Sequence, residues 1–354
     1  MKIWIDTLTP KQVNIFSVLV STLRKHNHSV NVTTRHYREV QQLLQIRGIK
    51  AKAIGRHGGR ELNRKLVESS RRITELAEHA SRNQPDIALS FCSPEAARVA
   101  YGLRIPHYAF CDSPHAEAVC RLTIPLSKKL FAPRVIPRRA WATYSIRPHD
   151  LIQYAALDPA VWIRTYAPGP DIRRYLGLNE EKPFVVLRTE EEYASYLLEN
   201  RSRRTNVVEI ARSLKQLGVQ IVVLPRYEKQ LKSLSEELAG IAIVPKKAID
   251  AVGLLSRASA FVGAGGTMSA EAALLGVPTI SCYRAEPTYI DRYLVRTGMV
   301  ERILETDRIT RRVQEFLKDG ALKDHQRKKA NRLLSRMEDP ICIVMSHLGL
   351  LRPD

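Results

Sequence analysis

The sequence predicts an α/β protein built from two doubly wound parallel sheets of similar size with a cleft between them. Three observations carry that expectation. Short apolar runs alternate with segments whose apolar residues recur at helical spacing, the pattern of parallel βαβ units. The rhythm occurs twice, before and after a Pro- and Gly-rich stretch at Ala167-Pro168-Gly169-Pro170. A length of 354 residues suffices for two domains, each with its own core.

Residues 2–5 read as the first strand, ending at Asp6. Thr9-Pro10-Lys11-Gln12 then has the form of a capping box with Pro at the first helical position. Val13, Phe16, Leu19, Val20 and Leu23 follow on one helical face. Residues 28–34 alternate as a strand, and a helix over 37–46 is stopped by Gly48. A strand at 51–54 leads through Gly55-Arg56-His57-Gly58-Gly59 into a long helix over 61–82. Strands at 86–90 and 106–110 flank a helix over 94–101. From Leu122 to Tyr166 the rhythm breaks. Residues 124–146 hold no acid and mix Lys128, Lys129, Arg134, Arg138 and Arg139 with Leu130, Phe131, Ile136 and Trp141. The second half resumes with strands at 184–187, 219–224, 241–244, 260–262 and 279–281, and a helix at 207–217. A basic helix at 322–336 and an apolar one at 340–351 close the chain. The expected division is a domain over 1–166, a second over 167–335, and a C-terminal helix over 336–354.

A hydrophobic fraction of 44% beside 26% charged residues is that of a soluble globular protein. No run of about 18 apolar residues predicts a membrane span, and the first apolar run is too short for a signal peptide. Cys92, Cys111, Cys120, Cys282 and Cys342 lack CxxC spacing, which speaks for reduced thiols in a cytoplasmic protein and against a zinc site. Lys plus Arg number 56 against 36 acids, a net charge of +20 that implies an anionic partner.

The most informative stretch runs from Ala260 to Ile280: strand, glycine turn Gly263-Ala264-Gly265-Gly266, short helix, second strand. Glycines there leave backbone N–H groups uncovered, and Thr267 as N-cap would open a helix whose free donors suit a phosphate or diphosphate. Glu271 stands one helical turn on, where a carboxylate meets sugar or ribose hydroxyls; the plain alternative is a tight turn with an exposed Glu. Arg226 lies just after the 219–224 strand, at the carboxyl edge where such sheets bind ligands and where a guanidinium clamps phosphate bidentately.

Two Rossmann-like halves, with a glycine turn and a helical Glu late in the second, resemble the GT-B superfamily of glycosyltransferases and UDP-N-acetylglucosamine 2-epimerases. More narrowly, the chain resembles the largely archaeal family called domain of unknown function 354. The residues that carry this are Trp4-Ile5-Asp6, Ser93-Pro94-Glu95-Ala96, Asp112 with His115-Ala116, Pro225-Arg226, and Gly263 through Ala273. The resemblance implies a GT-B-like fold whose C-terminal helices pack back toward the N-terminal domain. It also implies a nucleotide-diphosphate sugar as donor, UDP-linked by preference, with no tightly bound cofactor and no metal. Gly265, Gly266 and Thr267 would then hold the diphosphate and Glu271 the ribose. The N-terminal half would take the acceptor, with Asp6, Glu95, Asp112 and His115 at strand ends as candidates for proton transfer. Two features depart from the superfamily: Asp6-Thr7-Leu8-Thr9-Pro10 replaces a glycine-rich loop, and Pro225-Arg226 stands where the epimerases carry His-Arg.

The first expectation is therefore a metal-independent glycosyltransferase. A nucleotide-sugar 2-epimerase or hydrolase is the alternative from the same fold. A third reading is a nucleic-acid-binding protein, based on Arg201-Ser202-Arg203-Arg204 and on Lys323, Arg327, Lys328, Lys329, Arg332 and Arg336. An aromatic fraction of 6% speaks against it. The basic and apolar segment 122–147 would fit an anionic or lipid-linked acceptor at a membrane surface, and the sequence is compatible with a homo-oligomer.

Overall fold

The computed structural model describes residues 1–59, 61–167, 169–190 and 206–351; the cluster Arg201-Ser202-Arg203-Arg204 and Pro168 of the expected linker lie outside them. The chain divides into two compact units, Met1–Trp162 with Glu338–Asp354, and Ile163–Met337.

Among the described residues unit 1 holds seven parallel strands: β1 (Lys2–Asp6), β2 (Ser29–His36), β3 (Lys52–Arg56), β4 (Ile87–Ser90), β5 (His107–Phe110), β6 (Lys129–Pro133) and β7 (Leu151–Tyr154). They lie in the order β3-β2-β1-β4-β5-β6-β7. The chain builds outward from β1 to β3, then crosses back to β4 on the other side of β1. Right-handed crossovers then place the helices on opposite faces before and after that reversal. Helices Pro10–Lys25 and Arg38–Ile46 pack together, while Leu62–Asn83, Pro94–Gly102 and Glu117–Thr123 form a separate row. The β1/β4 boundary is thus the switch point, and its carboxyl edge is where such sheets take ligands. The Thr9 side chain makes no capping hydrogen bond. Gln12 instead accepts from the Leu8 N–H at 2.6 Å, one residue outside the reciprocal box.

The expected break at 122–166 is corrected. β6 and β7 extend the sheet there, and Leu130, Phe131, Ile136 and Trp141 are all fully buried. Prolines and short 3₁₀ turns between the strands mask the periodicity, while the basic residues face outward. Among the described residues no helix is long and apolar enough to cross a membrane.

Unit 2 holds β8 (Phe184–Arg188), β9 (Gln220–Leu224), β10 (Ala260–Gly263), β11 (Thr279–Ser281) and β12 (Glu301–Arg302) among the described residues, all parallel, in the order β12-β11-β10-β8-β9. Alternate residues of one strand serve two cores, as a pleat requires. Val185 and Leu187 pack with Ile210, Leu214 and Val313. Phe184 and Val186 pack on the other face with Leu254, Leu255 and Ala272. A strand buried on both faces reads as a continuous apolar run, which is why β8 and β9 are plain in the sequence. The expected strand at 241–244 reduces to a single bridge between Val222 and Ile243. The two-residue β12 is too short to carry a period.

Candidate functional site

In unit 2 the carboxyl edge brings together the ends of four neighbouring strands. β10 ends at Gly263, and Gly265 and Gly266 take φ of +75° and +87°. Gly266, at ψ −167°, occupies a region open essentially to glycine alone. It, and not Thr267, is the N-cap of the helix Thr267–Leu274, so Thr267 supplies a backbone donor in the first turn. A Cβ on Gly266 would lie 3.5 Å from a terminal nitrogen of Arg226, and one on Gly265 would press on the Tyr283 ring at 3.3 Å. The bare glycine backbone thus lies close beneath a guanidinium and a phenol.

Arg226 is held there by the end of β8: its Nε donates to the Thr189 carbonyl at 3.0 Å. Gln230 ties the two loops, accepting from the Arg226 N–H at 2.9 Å and the Thr189 hydroxyl at 3.1 Å. Buried Arg188 donates to the Pro225 carbonyl at 2.8 Å and braces the same loop from below. Burial pushes the Tyr283 phenol up to about 12, with Glu190 and Asp291 acting in the same direction and Arg226 opposing them. Tyr283 and Thr189 were absent from the sequence reading; lying just beyond the ends of β11 and β8 was the one signal that marked them. Glu271, expected on an open face, is 2% exposed.

Unit 1 sorts the remaining candidates into two networks. Asp6 and Glu95 share the first, centred on Arg72 of the helix Leu62–Asn83. The Arg72 guanidinium donates to both Asp6 oxygens at 2.6 and 3.1 Å, and its Nε donates to the Ile54 carbonyl at 3.0 Å. Asp6 also accepts from Thr33 at 2.7 Å, whose hydroxyl in turn accepts from the Trp4 indole at 2.8 Å. Asp6 and Arg72 are 0% and 1% exposed. Burial raises the Asp6 pKa, but the attraction and hydrogen bonds of Arg72 outweigh it and hold the carboxyl below its ordinary value. Gly55 makes room: a Cβ there would meet Arg72 Cγ at 2.7 Å. Glu95 lies 3.7 Å from Arg72 and accepts from Ser69 at 2.9 Å and Ser93 at 3.3 Å. In this geometry Asp6, read from the sequence as a strand-end carboxylate with a catalytic or a hydrogen-bonding role, is a buried anchor with both oxygens engaged.

Asp112 belongs to the second network. The Lys11 ammonium, at the start of the first helix, bridges Asp112 and Asp158, the latter at 2.5 Å, and stands 4.2 Å from the centre of the Phe91 ring. Tyr154 donates to Asp158 at 2.5 Å. Asp158 is 1% exposed, whereas the Asp112 side chain retains 17%. Burial raises both carboxyls. Lys11 overcomes this for Asp112, which is held below its ordinary value, aided by exposed His115. Asp158, deeper and repelled by Asp112, is pushed up instead. Lys11 itself is held above its ordinary value by the two acids in spite of burial. Lys11 and Asp158 were not singled out in the sequence; 147 positions separate them, and only the fold makes them neighbours. Among the described residues, no group of three or more His, Cys, Asp or Glu side chains is placed to hold a metal ion.

The family model described as Protein of unknown function (DUF354) matches residues 1–348. The chain belongs to that family. A fellow relative, the uncharacterized protein MJ0665 of Methanocaldococcus jannaschii, is 31% identical over 314 residues, covering 87% of this chain and 89% of that protein. Among solved structures, UDP-GlcNAc 2-epimerase from Neisseria meningitidis, bound to UDP-GlcNAc, is similar with a TM-score of 0.72 at 18% identity. The match covers 99% of this chain and all of that one. The spinosyn rhamnosyltransferase SpnG, complexed with spinosyn aglycone, gives a TM-score of 0.63 at 16% identity over 98% of this chain. This DUF354 member therefore has a GT-B-like α/β fold over its full length.

Proposed function

We propose that this family member is an enzyme acting on a nucleotide-activated sugar, most simply a metal-independent glycosyltransferase with a UDP-sugar donor. The observation that carries the reading is the junction in unit 2, where the Arg226 guanidinium faces the bare backbone of Gly266 at a helix N-terminus. The amides of Gly265, Gly266 and Thr267, the positive end of the helix, and a guanidinium are the donors a diphosphate needs. Glu271, one turn into the same helix, would take the ribose hydroxyls; its burial places any such hydrogen bond in low dielectric, where it is strong. The solved epimerase named above, bound to UDP-GlcNAc on a similar fold, supports the nucleotide-sugar class.

In unit 1 the proposed base is Asp112. Lys11 keeps it ionised, the state that accepts a proton from an attacking hydroxyl, and it retains an exposed face while Asp6 is sealed. Glu95 braces Arg72 at the edge of the same sheet, and His115 beside Asp112 adds positive charge. An epimerase or hydrolase is the second reading, favoured by the paired acids Asp112 and Asp158, whose proton affinities are driven apart in the manner of acid–base pairs. Calorimetry with UDP and UDP-sugars tests the shared premise, and absence of binding sinks both readings. Product assays separate them: UDP release or sugar inversion without acceptor supports the second, and turnover only with acceptor supports the first.

A further inference from the structure

Beside the Arg72 network lies a set of cations that neither proposed network uses. Arg35 is at the end of β2, His57 is in the loop after β3, and Lys65 is in the first turn of the helix Leu62–Asn83. Gly58 seats that loop on the helix, since a Cβ there would lie 2.5 Å from the Lys65 Cα. The Gly59 N–H donates to His57 Nδ1 at 2.9 Å, so in the neutral ring the proton sits on Nε2, which is left as a donor. The Tyr37 ring lies 6.2 Å from the imidazole, tilted by 33°. Burial lowers His57 to about 4, with Arg35 and Lys65 pressing the same way. Among the described residues, these two cations and the Tyr37 ring are the groups that face it.

The acids nearby, Glu95 and Asp6, attract Arg35 but spend their hydrogen bonds on other partners. Asp6 is taken by Arg72 and Thr33, and Glu95 by Ser69, Ser93 and Arg72. Among the described residues, the Arg35 Nε is buried without a hydrogen-bond partner. An unmet N–H on a buried cation in a native protein calls for an explanation. Two guanidinium groups, Arg35 and Arg72, repel one another here as well.

We propose that Arg35, with the His57 Nε2–H and Lys65, forms a second anion site in unit 1 that takes the oxyanion group of a small substrate, a phosphate monoester or a carboxylate. One oxyanion supplies the acceptor that Arg35 Nε lacks. Its position at the carboxyl ends of β2 and β3, next to the β1/β4 switch point, is where a doubly wound sheet admits a ligand. That this ligand is the acceptor of the transfer reaction rests on the function proposed above; the anion site itself does not.

The experiment needs no nucleotide, so its failure is distinct from failure of the donor reading. The imidazole of His57 is followed by NMR in the full chain, assigned with His57→Asn, across the pH 5–8 window in which histidine ordinarily changes charge. Chloride, inorganic phosphate and acetate are compared at matched ionic strength. In chloride His57 stays neutral throughout. An oxyanion beside Arg35 raises its midpoint by about 1 unit or more, as an opposite charge within about 4–6 Å does, and brings the titration into the window. A larger response to phosphate assigns the site to phosphate esters, and a larger response to acetate assigns it to carboxylates. In Arg35→Gln the midpoint rises without added oxyanion and no longer responds, whereas Arg35→Lys, which keeps the charge, retains a weaker response. No response in the wild-type chain, or equal responses to all three anions, overturns the proposal.

Discussion

Removing Arg72 is the sharpest perturbation of unit 1. Its guanidinium makes two short hydrogen bonds to Asp6 and one to the Ile54 carbonyl, and both partners of the ion pair are sealed from water. Arg72→Met leaves a buried carboxylate uncompensated, which costs about 3–5 kcal/mol. For a chain with units of this size, that corresponds to a fall in Tm of about 6–20 °C. Asp6→Asn strands the guanidinium and has a comparable cost, whereas Asp6→Leu with Arg72→Met removes both charges and should cost less than the sum of the single changes by about 2 kcal/mol or more. The pH dependence has a fixed sign. Asp6 is held below its ordinary pKa, so it contributes stability above the unfolded value of about 3.9, and that contribution is lost as pH falls through the folded value. Asp6→Asn should lack that acid limb. Denaturant unfolding across an acid pH series reads all of this. A cost below about 1 kcal/mol for either single variant, or simple additivity, would refute the anchor role and return Asp6 to the list of bases.

Further outcomes follow from the Lys11 network and the glycine turn. Lys11→Met strands Asp112 and Asp158 together and should cost about 3–5 kcal/mol in urea unfolding at neutral pH. Asp158→Asn should cost less: Asp158 is pushed up by burial, so its stabilising contribution is present below the unfolded pKa and is lost as pH rises through the folded one. The variant therefore gains on the wild type toward neutral pH, and that gain vanishes below about pH 4. Gly266→Ala forces a side chain into a region that costs roughly 1–3 kcal/mol and aims it at Arg226; thermal unfolding should register a few degrees, while calorimetry shows a larger proportional loss of UDP affinity. Glu271→Gln should weaken UDP about tenfold and leave pyrophosphate within about twofold, because only the former carries a ribose.

Much of the fold is written locally. β8 and β9 are unbroken apolar runs, and the turn after β10 announces itself by adjacent glycines that the structure places at positive φ. Arg226 was legible because the residue just past a buried strand lies at the carboxyl edge, and the structure sets it against Gly266. What failed to show depends on separation. Asp6 looked like a free strand-end carboxylate because its partner Arg72 is 66 positions away on a helix whose own pattern makes Arg72 an ordinary polar residue. Lys11 looked like one more helix-start lysine until Asp112 and Asp158 closed on it. β6 and β7 were hidden because prolines and basic residues interrupt their periods, although Leu130, Phe131, Ile136 and Trp141 of that stretch lie in the core.

The central claim is that Gly265, Gly266 and Thr267, with Arg226, hold a nucleoside diphosphate. The direct measurement is an NMR titration of those three backbone amides with UDP, in the wild type and in Arg226→Met. Saturable shifts at all three, with affinity weakened about 10- to 100-fold by losing the guanidinium, are expected from hydrogen bonds to a charged group. Amides that stay in place while UDP is in large excess, or an affinity indifferent to Arg226, would contradict it.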